Sequence, residues 1–295
     1  MFVVQDEENN VFDQYALSFY LQKNYQLPVF RLPFSATLSQ TSIPSDDPTR
    51  PLIYHPPHAP IAPYEVTTLY FRAGYSPSEY PSPEAWSARL HLERSAAIKC
   101  PSILTHLAGS KKIQQILATP SSPYLDRFLS RTPYASYVDR VRATFAAIYP
   151  LNDSEAGRKA IAIAKDTNEA RGYVLKPQRE GGGNNIYGAK IPSFIASLGD
   201  DAAKYRGHIL MELIRPPSLR NTIMRNGQLQ SGEVIGELGI YGICLWQNSR
   251  TDELAKDVLE NREAGFLLRT KGRESEEGGV AAGFGAIDSP CLIGA

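Results

Sequence analysis

The chain has 295 residues, of which 42% are hydrophobic and 21% charged, enough to bury a core and to divide into two domains. Its 31 basic and 31 acidic residues cancel, which argues against a general attraction to nucleic acid or to an anionic membrane. The three cysteines, Cys100, Cys244 and Cys291, form no CxxC pair, so neither a zinc ribbon nor a disulfide framework is indicated. With no signal-like or membrane-spanning run, the sequence predicts a cytoplasmic protein.

The first residues alternate strand and helix signals. Met1–Val4 is predicted as a strand, and its position at the very start of the chain, without a preceding turn, indicates a segment internal to a longer domain. Residues 11–23 predict a helix because aromatic and small apolar residues recur at helical spacing. Its members are Phe12, Tyr15, Ala16, Phe19 and Tyr20, and Tyr15, Phe19 and Tyr20 are expected in a core.

Proline controls the prediction for the next segment. Residues 43–63 contain seven prolines, and because proline lacks a backbone donor, we expect an exposed loop there. A strand at Val66–Phe71 and a helix at Pro83–Cys100, opened by its proline, follow. His55 and His58 lie among the prolines without a metal-binding spacing, and we interpret them as solvated.

A second block begins near residue 109. Its periodicity predicts helices at 112–117, 137–149 and 154–165 and strands at 173–175, 208–214, 233–245 and 266–270. Glycine-rich segments follow the first and the last of these strands. Cys291 has no neighbouring base and is interpreted as a packing residue.

The segment from Lys176 to Gly188, KPQREGGGNNIYG, combines a cation, an acid, three glycines and two amides behind a strand. Glycines allow backbone N–H groups to approach phosphate oxygens, Lys176 can neutralise them, and Glu180 offers the oxygen ligand that Mg²⁺ prefers. The alternative is a flexible linker, which a bare GGG usually is. Neither a GxxxxGK[ST] loop nor a GxGxxG turn runs through these glycines, so a different nucleotide fold is indicated.

YVLKPQREGGGNNIYG resembles the ATP-grasp loop of eukaryotic glutathione synthetases, and other matching motifs occur in the family's order. They are DEENNVFDQ, LYFRAGYSP, ERSAAIKCPSILTHLAGSKKIQQ, ILMELI, GELGIYG, LLRTK and GGVAAGFGAIDSP. The resemblance implies an α/β protein. Its parts would be a substrate-binding domain over 1–108 and, over 109–295, the C-terminal part of an ATP-grasp domain with a mixed or antiparallel sheet and glycine-rich lids.

In that family, ATP phosphorylates the C-terminal carboxylate of γ-glutamylcysteine, and glycine attacks the acyl phosphate. The resemblance therefore implies ATP and Mg²⁺ as cofactors, γ-glutamylcysteine and glycine as substrates, and a homodimer. The protein's tasks would be positioning, charge neutralisation and exclusion of water.

The same resemblance assigns nucleotide contacts to two sets of residues. The first comprises Lys111, Lys176, Pro177, Gln178, Arg179, Glu180, Gly181, Gly182, Gly183, Asn184, Asn185 and Tyr187, with Glu180 also the Mg²⁺ ligand. The second comprises Met211, Glu212, Leu213, Ile214, Glu237, Lys271 and Glu277. Lys176, Arg269 and Lys271 would act in the chemical step.

The peptide substrate would be bound by residues from both parts of the chain. They are Glu8, Asn9, Asn10, Gln14, Arg72, Ala73, Gly74 and Tyr75 from the first and Arg269, Val280 and Ala281 from the second. Arg72 alone is most simply a surface ion pair. Within an RAGY motif after a strand, a guanidinium that binds a peptide carboxylate through two parallel hydrogen bonds is the favoured reading.

Relatives carry a long segment upstream of the strand at Met1, with further metal ligands and peptide contacts, which this sequence does not include. Three readings follow. The sequence derives from a synthetase that is active once the missing part is present in cis or supplied by another chain, it is a shortened, non-catalytic nucleotide-binding or dimerising paralogue, or it is an incomplete gene model with no independent existence. We expect the chain alone to be inactive as a ligase. Preference for glycine over other acceptors is not determined by the sequence.

Overall fold

In the computed structural model, the chain forms two compact units, Met1–Ser110 and Lys111–Ala295. The structure describes residues 1–58, 62–120, 122–129, 135–179, 183–199, 201–225, 227–247, 258–275, 280 and 285–290. The α/β class is confirmed. That the units correspond to the substrate-binding and ATP-grasp domains stays a prediction.

The first unit contains seven strands and four helices within its described residues. The strands are β1 (Phe2–Val4), β2 (Arg31–Pro33), β3 (Thr41–Ser42), β4 (Leu52–Tyr54), β5 (Tyr64–Val66), β6 (Thr68–Phe71) and β7 (Ile98–Cys100). The helices are α1 (Phe12–Tyr25), α2 (Thr37–Gln40), α3 (Pro83–Arg94) and α4 (Ile103–Ala108).

A four-stranded parallel sheet, ordered β2-β1-β6-β7, organises this unit. Parallel neighbours require a crossover connection, and α1 joins β1 to β2 while α3 joins β6 to β7. Val3, Leu32, Leu69 and Leu92 are fully buried in the core. The chain between β2 and β6 forms a second, three-stranded antiparallel sheet, β3-β4-β5.

The expected loop over 43–63 is wrong at its centre. Leu52–Tyr54 forms β4, with Leu52 and Tyr54 buried, and pairs with strands on both sides. Pro51 and Pro56 flank these three residues and leave all three backbone donors in place. Proline density therefore limits the length of a strand here without preventing one.

The predicted helix over 83–100 is too long. α3 ends at Arg94, where both the N–H and the hydroxyl of Ser95 donate to Leu92 O. Ile98–Cys100 then forms β7. The hydroxyl of Ser95 competes with the helical hydrogen-bond pattern, so the helix ends at Arg94 although apolar residues continue beyond it.

The core positions predicted on α1 are also wrong. Tyr15, Phe19 and Tyr20 are 43%, 68% and 58% exposed, and the buried residue of the helix is Gln14. Helical spacing shows which side chains lie on one side of a helix, but the apolar residues of α1 are distributed over several of its sides. The spacing therefore did not identify the side that faces the sheet.

The second unit contains eight strands and six helices within its described residues. The strands are β8 (Ile148–Pro150), β9 (Tyr173–Pro177), β10 (Ile186–Tyr187), β11 (His208–Glu212), β12 (Leu219–Arg225), β13 (Gln228–Trp246), β14 (Val258–Gly272) and β15 (Gly285–Asp288). The helices are α5 (Lys111–Ala118), α6 (Tyr124–Leu129), α7 (Val138–Arg142), α8 (Glu155–Lys165), α9 (Ile191–Ser197) and α10 (Ala202–Arg206).

Two antiparallel sheets, β10-β9-β11-β8 and β12-β13-β14-β15, form this unit's framework. Leu175, Ile191, Ile195 and Leu210 lie in its core. The predicted helix over 137–149 is wrong in extent, because α7 ends at Arg142 and Ile148–Pro150 is β8. In the described part of the chain, no helix is long and apolar enough to span a membrane.

Candidate functional site

A cavity of about 710 Å³ opens in the second unit. Its walls combine an apolar group with several basic side chains and three carboxylates. The lining residues are Arg171, Val174, Lys176, Tyr187, Gly188, Ala189, Lys190, Met211, Glu212, Leu213, Ile214, Ile235, Glu237, Lys271, Arg273, Glu274 and Ser275. Such a mixture suits a ligand with one flat apolar end and one anionic end.

The strand period explains how β9 and β11 build one wall. Leu175 pairs with Leu210, and both side chains enter the core. Val174 and Met211, which also pair, and Lys176 point to the opposite face because successive side chains alternate. A sheet with one buried face therefore presents two apolar residues and a lysine to the cavity.

The strands β13 and β14 supply a charged cluster. Glu237 lies opposite Arg269 in the register, and its carboxylate is 3.1 Å from Arg269 Nη2 and 3.3 Å from Lys271 Nζ. Arg269 and Lys271 are two residues apart, so both reach the same face. Lys271 is 14% exposed. Glu237 thus pairs with Lys271, which lines the cavity with it, and with Arg269, which does not.

Glu212 has a partner behind the cavity. The hydroxyl of Tyr149 donates to Glu212 Oε1 at 3.2 Å. Burial, and after it the negative charge of Glu212, raises the pKa of Tyr149 to about 12. Tyr149 therefore stays protonated and fixes the orientation of this carboxylate.

Eight of the predicted nucleotide residues meet at this cavity, and others do not. The eight are Lys176, Tyr187, Met211, Glu212, Leu213, Ile214, Glu237 and Lys271. Lys111, Pro177, Gln178, Arg179, Gly183, Asn184 and Asn185 are described but do not line it, although Asn185 Nδ2 donates to the Tyr187 hydroxyl at 3.2 Å. Arg269 reaches it only through Glu237, and Val280 is not in its wall. Glu180, Gly181, Gly182, Glu277 and Ala281 lie outside the described residues.

Sequence reasoning missed several residues of this wall. Ile235 lies two residues before Glu237 in β13, and Arg273 lies two residues after Lys271, just past the end of β14. The two-residue period of a strand could have found both. Arg171 and Lys190 come from short helical turns, where no motif marks them.

A second cavity, of about 590 Å³, lies in the first unit. It brings together five of the predicted peptide-binding residues, which are Glu8, Asn9, Asn10, Arg72 and Tyr75. Gln5, Tyr70, Phe71 and Pro101 complete its wall and were not predicted. Gln5 was detectable only from the fold, since its Nε2 donates to the Tyr75 hydroxyl at 3.0 Å, across 70 residues of sequence.

Gln14 does not line this cavity but organises it. It is 1% exposed, and its Nε2 donates to Glu8 Oε2 at 2.9 Å and to Asn10 O at 3.0 Å. Glu8 Oε1 in turn accepts from the Asn10 N–H. The buried amide therefore holds the loop that carries Glu8 and Asn10.

The turn after β6 is fixed in a similar way. Gly74 has a φ of +76°, a left-handed conformation that glycine adopts without strain. The Glu79 carboxylate accepts from the N–H groups of Gly74, Tyr75 and Ser76. Ala73 is 1% exposed and belongs to the core, so of these predicted residues Tyr75 is the one at the cavity.

Arg72 already has a carboxylate partner. Its Nη1 forms an ion pair with Asp13 of α1, which sequence reasoning did not select. Partial burial alone would lower the pKa of Arg72, but the hydrogen bond with Tyr70 and the charge of Asp13 raise it. Binding of a peptide carboxylate by Arg72 stays a prediction, and such a ligand would share the guanidinium with Asp13.

Comparison with known proteins shows which family this chain belongs to. The family model for the eukaryotic glutathione synthase ATP-binding domain matches residues 9–292. The chain belongs to this family.

Curated relatives in the glutathione synthetase family include the glutathione synthetase large chain of Schizosaccharomyces pombe, 39% identical over 98% of this chain and 54% of the relative. The chloroplastic enzyme of Solanum lycopersicum is 41% identical, over 99% of this chain and 49% of the relative, and the Homo sapiens protein 40%, over 98% and 56%. The chain spans about half the length of these relatives. Among solved structures, a glutathione synthetase-like effector from Globodera pallida superposes with a TM-score of 0.66 at 15% identity, over 99% of this chain and 56% of the other, which supports the fold.

Proposed function

We propose that this chain carries the nucleotide-binding and peptide-binding residues of a glutathione synthetase. The reaction is the ATP-dependent ligation of glycine to γ-glutamylcysteine through an acyl phosphate, with glutathione, ADP and phosphate as products. The observation that carries the proposal is the cavity of the second unit, in which an apolar wall adjoins Lys176 and Lys271. Membership of the eukaryotic glutathione synthase family supports glutathione synthesis as the reaction.

The roles of the side chains follow from their chemistry. Val174, Met211 and Ile235 offer apolar surface to an adenine ring, while Lys176 and Lys271 neutralise phosphate charge. Glu237 pairs with both Lys271 and Arg269 and thereby restrains the two side chains. Fixed cations of this kind stabilise the charge that develops as a phosphoryl group is transferred.

Mg²⁺ is part of the proposal through Glu180 and the phosphates, and Glu180 lies outside the described residues. Among the residues that the structure does describe, no group of three or more His, Cys, Asp or Glu could hold a metal. A homodimer and a cytoplasmic location are proposed from the resemblance and from the cysteine content. Of the described cysteines, Cys100 and Cys244 are both free thiols.

Titration calorimetry of MgATP into the purified chain tests the nucleotide site. We expect Lys176→Ala to weaken binding by at least about tenfold, because a phosphate-side cation is lost. Glu180→Ala should weaken it also, through the metal. Lys159→Ala is the matched control, since Lys159 pairs with Glu155 on an exposed helix face. The proposal would be refuted if the wild-type chain did not bind MgATP, or if Lys176→Ala and Glu180→Ala bound it as tightly as the wild-type chain does.

A further inference from the structure

Gln178 links the glycine-rich segment to a helix. It follows β9 directly, two residues after the cavity-lining Lys176, and its backbone N–H donates to Gly207 O at 3.2 Å. Its side-chain Oε1 accepts from the backbone N–H of Lys112 at 2.9 Å, across 66 residues of sequence. Lys112 is the second residue of α5, and the first four N–H groups of a helix have no partner inside it. Gln178 therefore caps α5 from a distant part of the chain.

A chain of side-chain bonds continues from this cap along α5. Lys112 Nζ donates to Gln115 Oε1 at 2.6 Å, and Gln115 Nε2 donates to Thr119 Oγ1 at 2.7 Å. Thr119 Oγ1 lies 2.8 Å from Ile148 O in β8. The start of the helix is thus tied to the end of β9 and its far end to β8, two strands of one sheet.

The two adjacent lysines at the start of α5 have different surroundings. Lys112 is committed to the internal chain of bonds, and burial lowers its pKa. Neighbouring helical residues point about 100° apart, so Lys111 is directed to another side of the helix. The cap at Lys112 N–H fixes the backbone from which Lys111 projects.

The nitrogen of the Gln178 side-chain amide lowers the stability of the fold. Among the described residues, its Nε2 is buried and has no hydrogen-bond partner. Buried donors are almost always paired, and an unpaired one destabilises the fold. An unpaired buried donor in a native fold calls for an explanation, and a functional role is one such explanation.

We propose that Gln178 is a positioning residue for the phosphate end of the nucleotide. By capping α5, it fixes the helix start from which Lys111 directs its charge to the phosphates. The inference rests on the proposed function and on the nucleotide contact that the family resemblance assigns to Lys111, which lies outside the cavity wall. Gln178 acts through the helix and needs no contact with the ligand.

Dissociation constants for MgATP and for adenosine, which lacks phosphates, test this role. Both are measured for the wild-type chain, Gln178→Leu, Lys111→Ala and the double variant. We expect Gln178→Leu to weaken MgATP binding about tenfold and to leave adenosine binding unchanged, since only the phosphate-side cation moves. Lys111→Ala should cost about tenfold in the wild-type chain and less than about twofold in Gln178→Leu. Gln22→Leu, at an exposed position of α1, is the control for the chemical change.

Two results would overturn the inference: an equal cost of Lys111→Ala in both backgrounds, or an equal weakening of MgATP and adenosine by Gln178→Leu. Circular dichroism checks whether each variant folds. If Gln178→Leu does not fold, Gln178→Ala repeats the test with a smaller side chain. A wild-type chain that fails to bind MgATP would instead contradict the proposed function itself. Wild-type binding with an unaffected Gln178→Leu would contradict only the positioning role.

Discussion

Arg89 shows how much a single buried charge depends on its partner. The side chain is 4% exposed, lies 2.8 Å from Glu93 Oε1, and places its guanidinium carbon 4.0 Å from the Phe71 ring centroid. Glu93 is 16% exposed, and without Arg89 its Oε1 would still accept from the Ile103 N–H at 2.9 Å but would lose its paired cation. Removal of one member of a buried pair costs far more than the pair's net contribution, because the other charge is left uncompensated.

We therefore expect Arg89→Met to lower the free energy of unfolding by about 3 kcal/mol, measured by urea denaturation. The chain provides a matched control. Glu155 and Lys159 have the same spacing and the same 2.8 Å separation, but both are more than 70% exposed. Lys159→Met should change stability by less than about 0.5 kcal/mol, and similar losses for both variants would contradict the argument.

Tyr149 predicts a pH dependence in the alkaline range. Its pKa is raised from 10.0 to about 12, first by burial and then by Glu212, so the folded state favours the protonated hydroxyl. A raised pKa gives stability that is complete below pH 10 and is lost as the pH rises towards 12. The wild-type chain should be more stable than Tyr149→Phe below pH 10, and this difference should shrink above it. A constant difference from pH 8 to 12 in chemical denaturation would contradict this.

Residue by residue, motif resemblance selected several side chains that the fold brings together. Lys176, Glu237 and Lys271 all line one cavity, and their role as nucleotide contacts stays a prediction. Asp13 was missed because its importance comes from its ion pair with Arg72, 59 residues away, which no local pattern encodes. Arg171 and Lys190 were missed because no motif marks the short helical turns that carry them. Sequence alone therefore locates contacts within a strand or loop better than contacts that the fold creates.

At the scale of a helix, Gly157 of α8 is a case where propensity and packing disagree. Alanine is favoured over glycine inside a helix by about 1 kcal/mol, so propensity predicts that Gly157→Ala stabilises the chain. A Cβ at this position, however, would lie 2.3 Å from Asn152 O and 2.8 Å from Asn152 N, which no alanine tolerates without a backbone shift.

We expect Gly157→Ala to destabilise the second unit by about 2 kcal/mol in urea unfolding. Gly172→Ala is the control, because nothing lies within 4 Å of its Cβ position. That variant should stay within about 0.5 kcal/mol of the wild type. An increase in stability for Gly157→Ala would show that the Asn152 turn relaxes and that propensity decides.

Element types were predicted better than element ends. The helix of residues 11–23 and the strands near 173 and 208 occur close to their predicted positions, because long periodic patterns and flanking turns agree there. α3 and α7 are shorter than predicted, since the apolar residues beyond each helix belong to a separate strand, β7 or β8. The exposure of the α1 aromatics depends on what covers the helix, which its own sequence does not specify.

For the molecule as a whole, we expect the purified chain to show negligible ligation of γ-glutamylcysteine to glycine. The chain spans about half the length of its curated relatives, and a complete synthetase of the family is the positive control. Chromatographic detection of glutathione after incubation with both substrates and MgATP measures the outcome. Robust glutathione formation by the 295-residue chain would contradict this prediction, whatever its affinity for MgATP.

The two hydrophobic cores share no residue. Val3, Leu32 and Leu69 belong to one, and Leu175, Ile191 and Leu210 to the other. A chain built in this way can melt in two steps, so its heat-capacity trace should resolve into two peaks instead of one. Nucleotide would then raise the temperature of the peak that belongs to Lys111–Ala295 and leave the other where it was.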